Sequence, residues 1–465
     1  MSSPPAQTAV TEQTVPYKVL TQGLVFQNSN ELQWWHSTAP ILSKLLLSSQ
    51  YDIHQQYQFL IFFREHIIPV LGPVPRRAEG TDMLQHQWNG VHLTGLNLEF
   101  SYNLTHAMVR LAVEPVGALA GTDEDPFNTA AIWDFLQRLS TAPLTEKFDT
   151  RRFRQFAEAL IASEEELGAA MAEEAEGPQR FLERVGPRRT QTLIAMDLNK
   201  SGKILGKGYL YPQIKSLITG VPIKRLFFDA IRASDPEGVL ATQLANLEEY
   251  LDTRRPDASR EAEEIAKGGL SLCLLGCDLV PPATSRVKLY GIDEQVDWEN
   301  IEGIWTFNGR RTDPESLKGL ELCRKLWDIM PLHEGFCPLG MDVFVGIGAE
   351  TSAIRCPMMV HYNLAPGIEF PEPQVYLPTF GVRDVEVLDA LTVFFESQGW
   401  TDMAKFYKAN FVAAYPNEDL STTRHICAWV SFAYKNESAY MSIYNHSFEP
   451  VGEEMNGTGS KVLEK

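Results

Sequence analysis

Five times along this chain, two helical stretches are followed by two strand-like stretches. The strand pairs fall at 96–102 with 106–114, 190–198 with 204–212, 270–279 with 285–291, 353–364 with 373–380, and 424–434 with 438–447. Apolar residues at helical spacing fill 30–71, 125–139, 150–172, 223–233, 239–253, 298–305, 314–330, 385–398 and 403–415. Residue identity is not repeated, so only the architecture recurs. Ten antiparallel strands in sequential hairpins can close on themselves, which removes every unpaired edge. The expected fold is α+β: a ten-stranded antiparallel β-barrel surrounded by α-helices, in five ααββ units. One domain over 18–450 is expected, with flexible tails at 1–17 and 451–465. Asp125-Pro126 is read as a helix N-cap followed by proline at the first helical position. The charged stretch 254–267 is read as a surface excursion.

Side chains alternate between the two faces of a strand. In Ser285-Arg286-Val287-Lys288-Leu289-Tyr290, the residues Val287 and Leu289 share one face while Arg286, Lys288 and Tyr290 share the other. Lys207-Gly208-Tyr209-Leu210-Tyr211 repeats the recipe with Lys207, Tyr209 and Tyr211, and Gln374-Val375-Tyr376 is a shorter version. On the same parity lie Glu99, Arg110, Trp429, Tyr440 and Tyr444. A single strand of this kind can be an ordinary amphipathic strand with a solvated polar face, and tyrosine is common in strands by propensity alone. Recurrence in several strands, with helices available to cover the apolar face, puts the polar and aromatic face inside the barrel. The interior is then a ligand-sized chamber.

The net charge of −19 argues against nucleic acid or an anionic membrane as partner. A cationic site in such a protein is aimed at a small anion. Arg and Lys together suit a multiply charged oxyanion such as a diphosphate. Tyr and Trp faces stabilise a transient carbocation by roughly 0.5–2 kcal/mol per contact, and they exclude the water that would quench it. Glu99, buried, requires a partner, and an aromatic N–H would serve. These parts point to ionisation of an allylic diphosphate and capture of the cation by an electron-rich arene. Other motifs are weak. Asp123-Glu124-Asp125 resembles half of an aspartate-rich magnesium site, without its DDxxD partner. Gly346-Ile347-Gly348 lacks the third glycine of a dinucleotide fingerprint. The six cysteines show neither a disulfide framework nor zinc spacing. No histidine sits at a metal spacing, and His361, His425 and His446 are read as strand residues with satisfied hydrogen bonds. The longest apolar stretch, 268–280, is too short to span a bilayer, and no signal peptide is read. The expected location is cytoplasmic.

These residues resemble a known family. From Trp34-Trp35-His36-Ser37-Thr38-Ala39-Pro40 to Tyr444-Asn445-His446-Ser447-Phe448, the chain resembles the fungal indole prenyltransferases of the dimethylallyltryptophan synthase type. Leu98-Glu99-Phe100-Ser101, Gly121-Thr122-Asp123-Glu124-Asp125-Pro126-Phe127-Asn128, Lys207-Gly208-Tyr209-Leu210-Tyr211-Pro212, Ser285-Arg286-Val287-Lys288-Leu289-Tyr290 and Pro373-Gln374-Val375-Tyr376 carry the resemblance. It implies the ABBA prenyltransferase barrel, dimethylallyl diphosphate as co-substrate, no cofactor and no obligatory metal. It further implies that Glu99 bonds the indole N–H. Arg110, Lys207, Arg286, Lys288, Gln374 and Lys435 would hold diphosphate. Tyr209, Tyr211, Tyr290, Tyr376, Trp429, Tyr440 and Tyr444 would shield the cation, and Ala112, Leu193, Cys273 and Met359 would line the acceptor pocket.

Departures from the family pattern bear on the acceptor. Cys273 stands where enzymes for free tryptophan carry an arginine for its carboxylate. Leu193 stands where the family has a lysine thought to take the proton from indole C4. Both changes resemble the cyclic-dipeptide enzymes, brevianamide F prenyltransferase (tryprostatin B synthase) in particular. Trp429 in place of tyrosine, and Ala112 in place of glycine, reshape the pocket and bear on C2 against C3 attack and on regular against reverse prenylation. The expected partners are small molecules, dimethylallyl diphosphate and an indole diketopiperazine, with a homodimer as a possible assembly. Two alternatives stay open: free tryptophan or another indole or phenolic acceptor, and a non-catalytic barrel that binds a small aromatic anion.

Overall fold

A computed structural model describes residues 4, 9, 13–77, 84–90, 92–254, 269–338, 354–449 and 461–462. Ten strands follow one another around a closed barrel: β1 (Leu98–Asn103), β2 (Met108–Val113), β3 (Thr192–Leu198), β4 (Ile204–Leu210), β5 (Ser271–Asp278), β6 (Val287–Asp293), β7 (Met358–Leu364), β8 (Glu372–Pro378), β9 (Cys427–Lys435) and β10 (Ser438–His446). All neighbours are antiparallel, and β10 closes onto β1 with His446 opposite Glu99 and Tyr444 opposite Ser101. Each strand pair follows a helix pair: α1 (Ser29–Ser48) with α2 (Ile53–Phe62), α3 (Ala131–Thr141) with α4 (Arg151–Leu160), α5 (Ile223–Ser234) with α6 (Ala241–Thr253), α7 (Trp298–Thr306) with α8 (Pro314–Trp327), and α9 (Asp384–Ser397) with α10 (Thr401–Ala414). The five expected ααββ units are therefore present.

The main core lies between the barrel and the helices. Phe100, Leu111, Met196, Leu289, Leu377 and Phe432 face outward from the strands onto Phe59, Phe135, Phe156, Phe227, Leu326 and Phe394 of the helices. Each such burial is worth roughly 1.5–3 kcal/mol, so the apolar face of every strand is drawn outward and the other parity is left for the chamber. Close approach of helix to wall requires glycine at one point in particular. A Cβ on Gly208 would stand 2.2 Å from the Phe153 ring of α4.

Several local expectations are corrected. Asp125 does not cap a helix: α3 begins at Ala131, and the Asp125 carboxylate accepts the Thr129 N–H at 3.1 Å inside a turn. The helical stretch 150–172 breaks after Leu160, because Ser163 and Glu166 form a capping box that starts a new helix, Glu164–Glu173. A helix, Val15–Gly23, begins inside the stretch read as an N-terminal tail. Its Tyr17 is buried and bonds His36 Nδ1 at 3.0 Å. Of 254–267, only Arg254 is described, and it is no free surface group: it pairs with Asp293 at 2.7 Å. Gly346-Ile347-Gly348 and Ala353 lie outside the described residues. All six cysteines are free thiols. No helix among the described residues is long and apolar enough to cross a membrane.

Candidate active site

The strand register assembles the inward residues into continuous rows. One row runs Glu99–Ala112–Ala195–Lys207–Asp278 from β1 to β5. Another runs Ser101–Arg110–Asp197. A third runs Tyr290–His361–Gln374 across β6, β7 and β8. Residues far apart in the chain thus share one chamber because each occupies the same parity on adjacent strands.

The cations gather at one side of it. Lys207, Tyr209, Gly276, Cys277, Asp278, Arg286 and Lys288 line a pocket. Two buried carboxylates order this region. Asp197 takes both Arg110 and Lys207, the latter at 2.5 Å. Asp278 takes Arg286 through two hydrogen bonds of 2.6 and 3.2 Å. Burial would raise the Asp197 pKa, but the two cations hold it well below the usual range. Lys288 is different: its neighbours in charge are Lys207, Arg286, Lys435 and Arg110. Burial, then these cations, push its pKa well below that of an ordinary lysine. Like charges crowded at this cost are the signature of an anion site. Lys435 reaches Glu372 at 3.5 Å, and Gln374 Nε2 donates to Ser431 Oγ at 2.8 Å.

The aromatic residues form a chain of four tyrosines, with Trp429 and Tyr211 packed against it and Tyr440 apart. Tyr209 and Tyr290 meet edge to face at 5.9 Å, Tyr290 and Tyr376 at 6.3 Å, and Tyr376 and Tyr444 at 5.5 Å between centroids. Cys273, Leu274, Met359 and Trp429 pack around this chain. Tyr211 stands just beyond β4, against Ala112, Leu193 and Ala195. Tyr440 sits apart, among the cations. The Lys435 ammonium lies 5.7 Å from its ring centre, and Arg110 and Lys207 lower its phenol pKa against the opposing effect of burial. Trp429, opposite Tyr444 and Pro378, joins the tyrosine chain from the far side.

Glu99 faces the chamber with no hydrogen-bond partner among the described residues. Burial pushes its pKa up to about 8, and Arg110 opposes the rise. Glu99 is half-buried, and a carboxyl so placed without a partner is satisfied when a ligand donates to it.

Inward parity was legible in the sequence, but several lining residues were not singled out. Asp197 and Asp278 share the parity of their cationic partners and could have been found by it. Gly276 could not: its role is spatial, since a Cβ there would stand 2.8 Å from the Tyr209 ring. Leu274 enters the chamber because β5 carries a bulge between Leu272 and Leu274 that shifts the alternation. Of the three histidines read as strand residues with satisfied hydrogen bonds, His361 and His446 lie in β7 and β10, while His425 precedes β9. Among the described residues, the buried Nε2 of each has no hydrogen-bond partner.

The model of the tryptophan dimethylallyltransferase family matches residues 30–410. The chain belongs to that family. Over 436 residues it is 36% identical to a tryptophan dimethylallyltransferase of Arthroderma otae, covering 93% of this chain and 91% of that protein. It is equally 36% identical, over 443 residues, to 6-hydroxy-7-prenyldeoxybrevianamide E synthase of Aspergillus sp. (strain MF297-2), covering 93% of this chain and 97% of that one. The barrel superposes on the crystal structure of AnaPT from Neosartorya fischeri with a TM-score of 0.77 at 31% identity, over 94% of this chain and 99% of that one. NotF, solved with brevianamide F and DMSPP, gives a TM-score of 0.76 at 29% identity with the same coverage. The family's activity is aromatic prenyl transfer, and the barrel is the ABBA prenyltransferase barrel.

Proposed function

We propose that this dimethylallyltransferase takes its prenyl group from dimethylallyl diphosphate, without an obligatory metal. The acceptor is the indole ring of a tryptophan-containing cyclic dipeptide such as cyclo-Trp-Pro, attacked at C2 or C3. Arg110, Lys207, Arg286, Lys288 and Lys435, with the Gln374 amide, hold the diphosphate and take up the charge that builds on it. The carbon–oxygen bond breaks with its electron pair leaving on the diphosphate. Tyr209, Tyr290, Tyr376 and Tyr444 flank the allylic cation, with Trp429 closing the chain. The indole carbon supplies the electron pair of the new carbon–carbon bond, and for attack at C2 that carbon's proton then passes to the released diphosphate, which restores the aromatic ring. Glu99 accepts the indole N–H, which enriches the ring. The reaction needs only small-molecule partners, and a cytoplasmic setting suits it.

Identity does not separate the acceptors, since relatives named for tryptophan and for a brevianamide are matched equally. The observation that carries the cyclic-dipeptide reading is the uncharged lining of the chamber: Ala112, opposite Glu99, with Leu193 and Ala195, and Cys273, Leu274 and Met359 around the tyrosine chain. Incubation with dimethylallyl diphosphate and cyclo-Trp-Pro is expected to yield a product one prenyl unit heavier. Glu99→Gln is expected to lose at least tenfold in kcat while diphosphate binding persists. Faster turnover of free tryptophan would overturn the acceptor, and full activity of Glu99→Gln would remove that residue from the mechanism.

A further inference from the structure

His361 lies mid-row on the inner face of β7, between Tyr290 of β6 and Gln374 of β8. It is 1% exposed. Its ring stands 4.8 Å from that of Tyr290 and 5.8 Å from that of Tyr376. Nδ1 meets the Tyr376 hydroxyl at 2.9 Å. Nε2 is buried with no hydrogen-bond partner among the described residues. The charges that act on the ring are those of Lys288, Lys435, Arg286 and Arg110, all cations.

The Nδ1 contact alone admits either tautomer, and the surrounding cations favour one. An Nε2 lone pair among four cationic groups would draw a lysine ammonium into hydrogen-bonding distance, and none is there. With Nδ1 accepting the Tyr376 hydroxyl, Nε2 carries the hydrogen. A buried N–H donor without an acceptor is costly and rare. The missing partner is therefore an acceptor that enters with a ligand, and the surrounding cations specify an anion.

We propose that His361 binds the donor: its Nε2–H bonds an oxygen of the diphosphate while its Nδ1 holds the Tyr376 hydroxyl. The proposal rests on the donor assignment made above. It gives the site something that a further lysine would not. The neutral imidazole donates to the leaving oxygens without placing another positive charge beside the Tyr290 and Tyr376 rings, where the allylic cation forms. The bond strengthens as charge gathers on the leaving group, so departure of the diphosphate and the orientation of one shielding ring are joined through one side chain.

The test is calorimetric binding of inorganic diphosphate to the full chain and to three variants, each checked for a wild-type melting transition. His361→Phe keeps ring bulk and removes both nitrogens. Its Kd is expected to weaken roughly tenfold to hundredfold, as for loss of a hydrogen bond to a charged group. His361→Gln places an amide N–H near the Nε2 position and is expected to restore most of the affinity. His361→Asn places its amide near Nδ1 and is expected to restore little. In 15N-histidine spectra, inorganic diphosphate is expected to shift the Nε2–H resonance of His361. Wild-type affinity in His361→Phe, or rescue by Asn and not Gln, would overturn the proposal. Should His361→Phe fail to fold, the Gln and Asn variants alone decide. A wild-type chain that does not bind inorganic diphosphate would instead overturn the donor assignment on which the proposal stands.

Discussion

In the proposed mechanism Glu99 would meet its acceptor as an acid more often than as an anion. Its pKa near 8 comes from burial and is only partly opposed by Arg110. An indole N–H prefers the carboxylate, so acceptor binding has to remove a proton below that pH. Affinity for cyclo-Trp-Pro is accordingly expected to rise as pH increases from 6 to 8, by up to about tenfold per unit, and to level off above. Calorimetric Kd values across that range check it, and Glu99→Gln is expected to flatten the profile. A flat wild-type profile would dissociate Glu99 from the indole nitrogen. On the donor side, Asp197 acts as a structural counter-charge. Between Arg110 and Lys207, it fixes two cations whose mutual repulsion would otherwise splay them.

At the scale of elements, the barrel wall is thin where glycine permits it. Gly276 on β5 lets the Tyr209 ring lie across the strand, 2.8 Å from where a Cβ would be, with Tyr290 at 3.4 Å. Gly276→Ala is expected to leave the fold intact, displace both rings and lower kcat several-fold. It should also raise the share of dimethylallyl diphosphate lost to water, measured as dimethylallyl alcohol. Gly208 faces the other way, onto Phe153, and that contact governs how closely α4 lies on the wall. Strand pairing and helix alternation were readable because both follow from short-range periodicity. The bulge at Cys273 was not, since a one-residue shift in register leaves no mark in local sequence.

For the whole molecule, buried titratable groups set opposing trends with pH. Glu99 and Glu114 have folded pKa values raised to about 8 by burial. A raised pKa means that their stabilising effect is full below the unfolded value and is lost as pH climbs through the folded one. His86, His92 and His425 are held down to about 4, 3 and 4, chiefly by burial. In these cases the folded state binds protons less readily than the unfolded chain, so stability falls as pH drops below about 6.5. Between pH 8.5 and 6.5 the two carboxyls raise the melting temperature on acidification, and Lys288, with its lowered pKa, works against them. Below about pH 4.5 the histidine loss continues, joined by protonation of Asp197, and the melting temperature is expected to fall. Glu114→Gln is expected to remove about 1.4 kcal/mol of the loss between pH 7 and 9, the worth of one unit for one group. Calorimetry over pH 4–9 reads both, and an unchanged alkaline limb in the variant would refute the Glu114 part.

By itself the sequence determined the ααββ repeat, the inward parity of Arg110, Lys207, Arg286, Lys288 and the tyrosines, and the family, because alternation and composition are local properties of a strand. The tertiary structure alone decided who pairs with whom. Asp197 neutralises two cations and Tyr440 stands with the cations instead of in the tyrosine chain, while among the described residues Lys288 has no acid and His361 Nε2 no partner. Each of those outcomes depends on strand register around a closed barrel, where neighbours are set by hydrogen bonds between segments tens to hundreds of residues apart, and no single stretch of chain encodes them.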